Sequence, residues 1–112
     1  MHGMIVNGVQ FGFCACDGAH QRDIELAENE KVVYLEYQKI HSGTFPGNIC
    51  NFRLKTNFGN YHPNTGHYGT GCWTTDVTQR SYEVPDDASF LDFLKTIASP
   101  PPWAGGYMTA LP

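Results

Sequence analysis

Residues 50–55 alternate without a break. Cys50, Phe52 and Leu54 fall on one parity, and Asn51, Arg53 and Lys55 on the other. A period of two marks a strand with one face in a core and one in water. The pattern recurs along the chain. Between residues 4 and 13, Ile5, Val9, Phe11 and Phe13 share one parity and Val6, Gly8, Gln10 and Gly12 the other. That predicts a strand, with glycines marking a bulge or a close backbone approach. A short strand follows, with Ile24 and Leu26 facing in and Asp23 and Glu25 facing out. Ala27 to Glu30 reads as a turn. Lys31 to Ile40 reads as a strand whose Val33, Leu35 and Tyr37 share a face.

The punctuation fits short strands. Residues 41–48 hold Ser, two Gly and Pro and form a loop. Asn57-Phe58-Gly59-Asn60 reads as a hairpin turn. Residues 61–71 are loop-rich, and Ser81 to Val84 is a short strand. The expected class is all-β, built from antiparallel sheets. Residues 88–98 are open between two readings. Phe90, Leu91, Phe93, Leu94 and Ile97 sit at helical spacing. Ser89 stands three residues before Asp92 as an imperfect capping box, and Pro100-Pro101-Pro102 would stop a helix. Asp86 and Asp87 favour a helix N-terminus. The same residues also alternate as a strand would. The helix gives an α+β chain.

Composition bounds the function. The 112 residues make one domain, 1–112, and 41% apolar content can fill a core. Seven Lys and Arg against 11 Asp and Glu leave a net charge of −4. A phosphate-backbone binder needs clustered cations, so nucleic acid is not an expected partner. No apolar run approaches the ~18 residues of a membrane span. Met1-His2-Gly3-Met4 opens no signal peptide. That leans toward the cytoplasm, with secretion open to a mature form. Four cysteines, Cys14, Cys16, Cys50 and Cys72, permit three disulfide pairings. Free thiols are the leading expectation, since no secretion signal accompanies them.

Few residues announce chemistry. Cys14-x-Cys16 with His20 offers zinc-ligand types, but paired zinc cysteines usually stand two to four residues apart. Structural thiols or a disulfide are the better reading, and no metal or cofactor is expected. His62 and His67 flank a Gly-containing loop and read as surface residues. No nucleophile elbow, P-loop or dinucleotide fingerprint occurs. Catalysis is not expected, and a small hydrolase ranks last among the functions. The aromatics carry more. Trp73 follows a Gly-rich loop, and Trp103 lies between three prolines and Gly105-Gly106-Tyr107. Rings on rigid loops offer flat apolar faces to sugars, or else they fill the core.

The order of these pieces resembles the jacalin-related lectins between about Ile5 and Ile97. Ile5 to Gly12 is similar to the family's strand ending in Tyr-Gly. Asp23 to Val33 is similar to a strand, turn and strand. Ile49 to Gly59, with Phe52-Arg53-Leu54-Lys55-Thr56-Asn57-Phe58-Gly59, is the best match. Tyr68-Gly69 and Ser81 to Pro85 follow in family order. The resemblance implies a β-prism of three antiparallel sheets, a strand at 88–98, and glycan binding through loops at one end. No counterpart of the family's first strand and double-glycine loop stands before residue 4. The closing loop has Trp103 but no Asp after it.

The resemblance implies a carbohydrate contact set of Asp17, Gly18, Trp103, Gly105, Gly106 and Tyr107. Asp17 would stand in for the missing carboxylate. The expected partners are glycans or glycoproteins. The missing strand implies a homodimer through the edge near Ile5–Phe13 or through Gly106–Leu111. The alternative is a tail after Pro102 that folds back within one chain. A degenerate prism used as a protein-interaction or structural module is the second functional reading.

Overall fold

A computed structural model describes residues 3–12, 23–41, 49–69, 72, 74–98 and 111–112. The strand predicted over 4–13 is in fact a hairpin. β1 (Gly3–Val6) and β2 (Val9–Gly12) pair antiparallel, with Met4 opposite Phe11 and Val6 opposite Val9. Asn7 and Gly8 between them both take positive φ, at 48° and 82°. Asn-Gly tolerates that conformation and favours two-residue hairpin turns. The reversal exchanges parity between the strands. Met4, Val6, Val9 and Phe11 therefore share the core-facing side, and Phe11 is fully buried. Ile5 falls on the other side and is 56% exposed.

The larger sheet has four antiparallel strands in the order β5-β4-β3-β6. These are β3 (Val32–Ile40), β4 (Ile49–Thr56), β5 (Tyr61–His62) and β6 (Val77–Glu83). β4 keeps the predicted alternation, with Cys50, Phe52, Leu54 and Thr56 buried. β3 departs from simple alternation. Its register against β4 shifts between Val32 and Tyr34 and again between Gln38 and Lys39. One extra residue at each shift re-aims the side chains. Val32 and Ile40 are buried with Leu35 and Tyr37, and Val33 is only partly covered. Residues 23–27 form no strand; Ile24 packs on the core, while Leu26 is 38% exposed.

The turns form as expected. Glu30 N–H donates to Ala27 O at 3.0 Å, and Thr56 N–H donates to Asn60 O at 2.9 Å. Asn57 clasps the two turns together: its Oδ1 accepts from Lys31 N–H, and its Nδ2 donates to Asn29 O. Beyond β5 the chain returns to β4 at Tyr68, which exchanges two backbone hydrogen bonds with Phe52. Gly69 next to it has φ 119°, and a Cβ there would collide with Cys50 O. Only glycine fits this approach.

At 88–98 the helix forms, and the strand implied by the resemblance does not. α1 (Phe90–Ile97) is capped by Ser89, whose Oγ accepts from Asp92 N–H at 3.1 Å. Asp92 lies in the first turn and Lys95 in the last, both matched to the helix dipole. Leu94 is fully buried, and Phe90, Leu91, Phe93 and Ile97 pack around the core. Phe93 meets the Tyr82 ring edge-on at 5.9 Å, and Tyr82 stacks with Tyr37 at 6.3 Å. The chain is thus β-rich with one short helix. Among the described residues no helix is long and apolar enough to cross a membrane.

Two long-range ties complete the core. Cys50 and Cys72 form a disulfide, which corrects the expectation of free thiols for this pair. It spans 22 residues. Closing a loop of that size restricts the unfolded chain by about 3 kcal/mol. Cys14 and Cys16 lie outside the described residues. At the other end of the chain, Leu111 is buried in the core. Lys39 Nζ donates to Leu111 O at 2.8 Å and Tyr37 Oη to Pro112 O at 2.6 Å. Burial, then the nearby Arg80, holds the Lys39 ammonium below its usual pKa. Burial raises the Tyr37 phenol, so it remains a donor.

Candidate functional site

With one side of the sheet given to the core, the strand register arranges the other side in rows. Tyr34 lies between Lys55 and Glu83, and Tyr61 lies beyond Lys55. Two residues along, Glu36 lies between Arg53 and Ser81. Two further, Gln38 lies between Asn51 and Gln79. Cross-strand neighbours on one face stand about 5 Å apart, so each row behaves as a continuous chemical surface. The first row carries aromatic rings and charges, the second two opposite charges and a hydroxyl, the third only amides.

Local contacts fix these side chains. The Arg53 guanidinium sits 3.9 Å from the Tyr61 ring centroid, and Lys55 Nζ is 5.3 Å from it. Such cation–π contacts immobilise both partners. Arg53 also donates through Nε to Pro63 O at 3.3 Å and through Nη2 to Asn64 O at 3.0 Å. It thereby anchors the loop between β5 and Tyr68. Tyr34 Oη donates to Glu36 Oε2 at 3.4 Å, and His67 Nε2 stands 3.7 Å from Glu36 Oε1. Burial, then the Glu36 charge, pushes the Tyr34 phenol above its usual pKa. Asn51 Nδ2 donates to Gln38 Oε1 at 2.6 Å.

The first two rows and the start of α1's leader enclose an open depression of about 470 Å³. Val33, Tyr34, Glu36, Lys55, Tyr61 and Glu83 line it, with Arg53, Val84 and Asp86. A smaller one of about 190 Å³ continues over the third row, sharing Glu36 and adding Gln38, Asn51, His67 and Gln79. The larger volume is within the ~300–1,000 Å³ of small-ligand sites.

The residues singled out in the sequence do not make this face. Asp17, Gly18, Trp103, Gly105, Gly106 and Tyr107 lie outside the described residues, as do Cys14, Cys16, His20 and Trp73. His62 and His67 do not converge on one site. His67 faces Glu36, and His62 Nε2 is 3.9 Å from Glu30 Oε2. The outer parity of β3 and β4 was visible as Tyr34, Glu36, Gln38, Asn51, Arg53 and Lys55. It read as plain solvated surface because the cross-strand register that assembles it is absent from the sequence. No protein-family model, curated protein or solved structure matches this chain.

A carboxylate braces the end of the face. Glu30 Oε2 accepts from the buried Thr56 Oγ1 at 2.6 Å and from Asn60 Nδ2 at 3.4 Å. Its Oε1 accepts from Ala27 N–H at 3.0 Å. The Thr56 hydroxyl first, then the Ala27 amide, hold the Glu30 carboxyl below its ordinary value of 4.5. A depressed folded pKa stabilises the fold above the unfolded value, and that contribution disappears as pH falls through the folded value. Glu30→Gln should therefore lower the melting temperature at pH 7, with the gap to wild type closing below about pH 4. Melting curves from pH 7 to pH 2 check this. A gap that stays constant across that range would show that the carboxylate charge is not what braces the turn.

Proposed function

We propose that this domain is a non-catalytic, carbohydrate-binding protein of lectin type. The observation that carries the reading is the outer sheet face. It places the rings of Tyr34 and Tyr61 beside Glu36, Glu83 and Lys55 in one open depression, and a row of amides in a second that continues it. A sugar ring presents C–H faces that pack on aromatic rings and hydroxyls that need donors and acceptors at close spacing. The face supplies both. The resemblance to the jacalin-related lectins, with its β-prism, supports the same function from the sequence. On that resemblance the loop residues Asp17, Gly18, Trp103, Gly105, Gly106 and Tyr107 form a second contact set. The helix at Phe90–Ile97 is a departure from that family's pattern. The Cys50–Cys72 disulfide suits a compartment that keeps thiols oxidised, and so favours a secreted mature form over the cytoplasm.

The purified chain on a glycan array should give signal that free sugar competes away. An array that is blank at high protein density would remove the lectin reading and leave the protein-interaction module in its place.

A homodimer is part of this proposal, because single sugar sites are weak and paired sites gain avidity. The β1–β2 hairpin is its interface, with the exposed Ile5 on the side away from the core. Within the C-terminal alternative, Leu111 O and Pro112 O accept from Lys39 and Tyr37 of their own chain, and residues 106–110 lie outside the described residues. Light scattering over a dilution series should give twice the chain mass, reduced by Ile5→Lys. A monomer mass at micromolar concentration would remove the dimer.

A further inference from the structure

We propose that the outer face of the four-stranded sheet is a subsite for an uncharged oligosaccharide, read by Tyr34, Glu36, Lys55 and Glu83. This rests on the carbohydrate-binding reading and adds a ligand class and the residues that select it. The location differs from the loop set, because all four residues belong to strands β3, β4 and β6. A site on paired strands is held in place by the backbone ladder and needs little ordering on binding.

The charge inventory selects the ligand. Three carboxylates, Glu36, Glu83 and Asp86, line the larger depression against two cations, Arg53 and Lys55. Arg53 is already committed to Pro63 O, Asn64 O and the Tyr61 ring. It has little left for an incoming anion. A sulfated, sialylated or uronate sugar would bring its charge against the carboxylates with only Lys55 to answer it. Neutral hydroxyls meet the reverse situation. Carboxylates are acceptors with several lone pairs and take hydroxyl protons in charge-assisted bonds. Glu83 is exposed at its position beside Tyr34, and Lys55 on the other side of that ring can donate.

The length of the face selects an oligosaccharide over a single sugar. Rows two residues apart along a strand are separated by about 7 Å, so three rows extend about 14 Å. The second depression continues the first through Glu36 and is lined by the amides of Gln38, Asn51 and Gln79. Side-chain amides offer both donors and acceptors to a further ring. A linear chain would run along the strands, with one ring over Tyr34 and the next over the amide row.

The test is a titration of the full chain by ¹H–¹⁵N correlation spectra. The neutral probes are cellotriose, maltotriose, mannotriose and chitotriose, and the anionic probes are trigalacturonate and sialyllactose. At least one neutral trisaccharide should shift the amides of Tyr34, Glu36, Lys55 and Glu83, and the anionic probes should leave them unmoved. Tyr34→Ala and Glu83→Gln should each weaken that binding about tenfold, while Tyr34→Phe, which keeps the ring, retains most of it. Both weakened variants should keep the wild-type dispersion of peaks elsewhere. Neutral-sugar shifts confined to residues 13–22 and 99–110, with affinity unchanged in Tyr34→Ala, would overturn this site and leave the carbohydrate reading standing. Shifts of the sheet amides by anionic probes alone would overturn the ligand class. An absence of shifts with every probe and a blank array would overturn both.

Discussion

The pairing of β3 with β4 is the constraint on which the rest depends. Their register, from Val32 opposite Thr56 to Lys39 opposite Ile49, commits Leu35, Tyr37, Phe52 and Leu54 to one side. The same register commits Tyr34, Glu36, Gln38, Asn51, Arg53 and Lys55 to the other. A slip by one residue would exchange the two sets, so the burial of four large apolar side chains fixes the polar rows as firmly as the core. The core side is further held by α1 and by Leu111. Neither alters which residues face outward.

Everything at the sheet's edges is attached to that pair. β6 follows β3 from Tyr34 to Ile40 without a shift and contributes Glu83, Ser81 and Gln79 to the three rows. β5 is only two residues long, yet it positions Tyr61 beside Lys55. The chain then returns against β4 at Tyr68-Gly69, where the missing side chain of Gly69 allows contact with Cys50 O. The disulfide holds the same end of β4 to residue 72, just ahead of β6. The loop between β5 and Tyr68 is tied down by Arg53, so one residue both lines the depression and shapes its rim.

Local signals carried the parts that depend only on near neighbours. The alternation of 50–55, the turns at 27–30 and 57–60, and the Ser89-capped helix ahead of three prolines each follow from residues within one element. The hairpin at Asn7-Gly8 is hidden in the sequence because apolar alternation runs straight through it, and the reversal exchanges parity. The two shifts along β3 leave no mark in the sequence, so Val33 rather than Val32 looked like the core residue. The rows of the outer face join residues up to 49 positions apart, as in Tyr34 opposite Glu83. Long-range register decides such a surface, and polar residues on an outer parity look alike whether they bind a ligand or only water. The same holds for Leu111, whose burial depends on where the sheet ends.

Native-state hydrogen exchange tests most directly whether β3 and β4 are the element on which the two faces depend. Amides that open only with global unfolding mark the last cooperative unit of a domain. The slowest amides should be those of Leu35, Tyr37, Phe52 and Leu54, exchanging together at the free energy of global unfolding. Those of β1, β2 and α1 should open at lower free energy. If the slowest set lies in α1 or the β1–β2 hairpin while β3 and β4 exchange early, the sheet is not the organising element and the order of dependence is reversed.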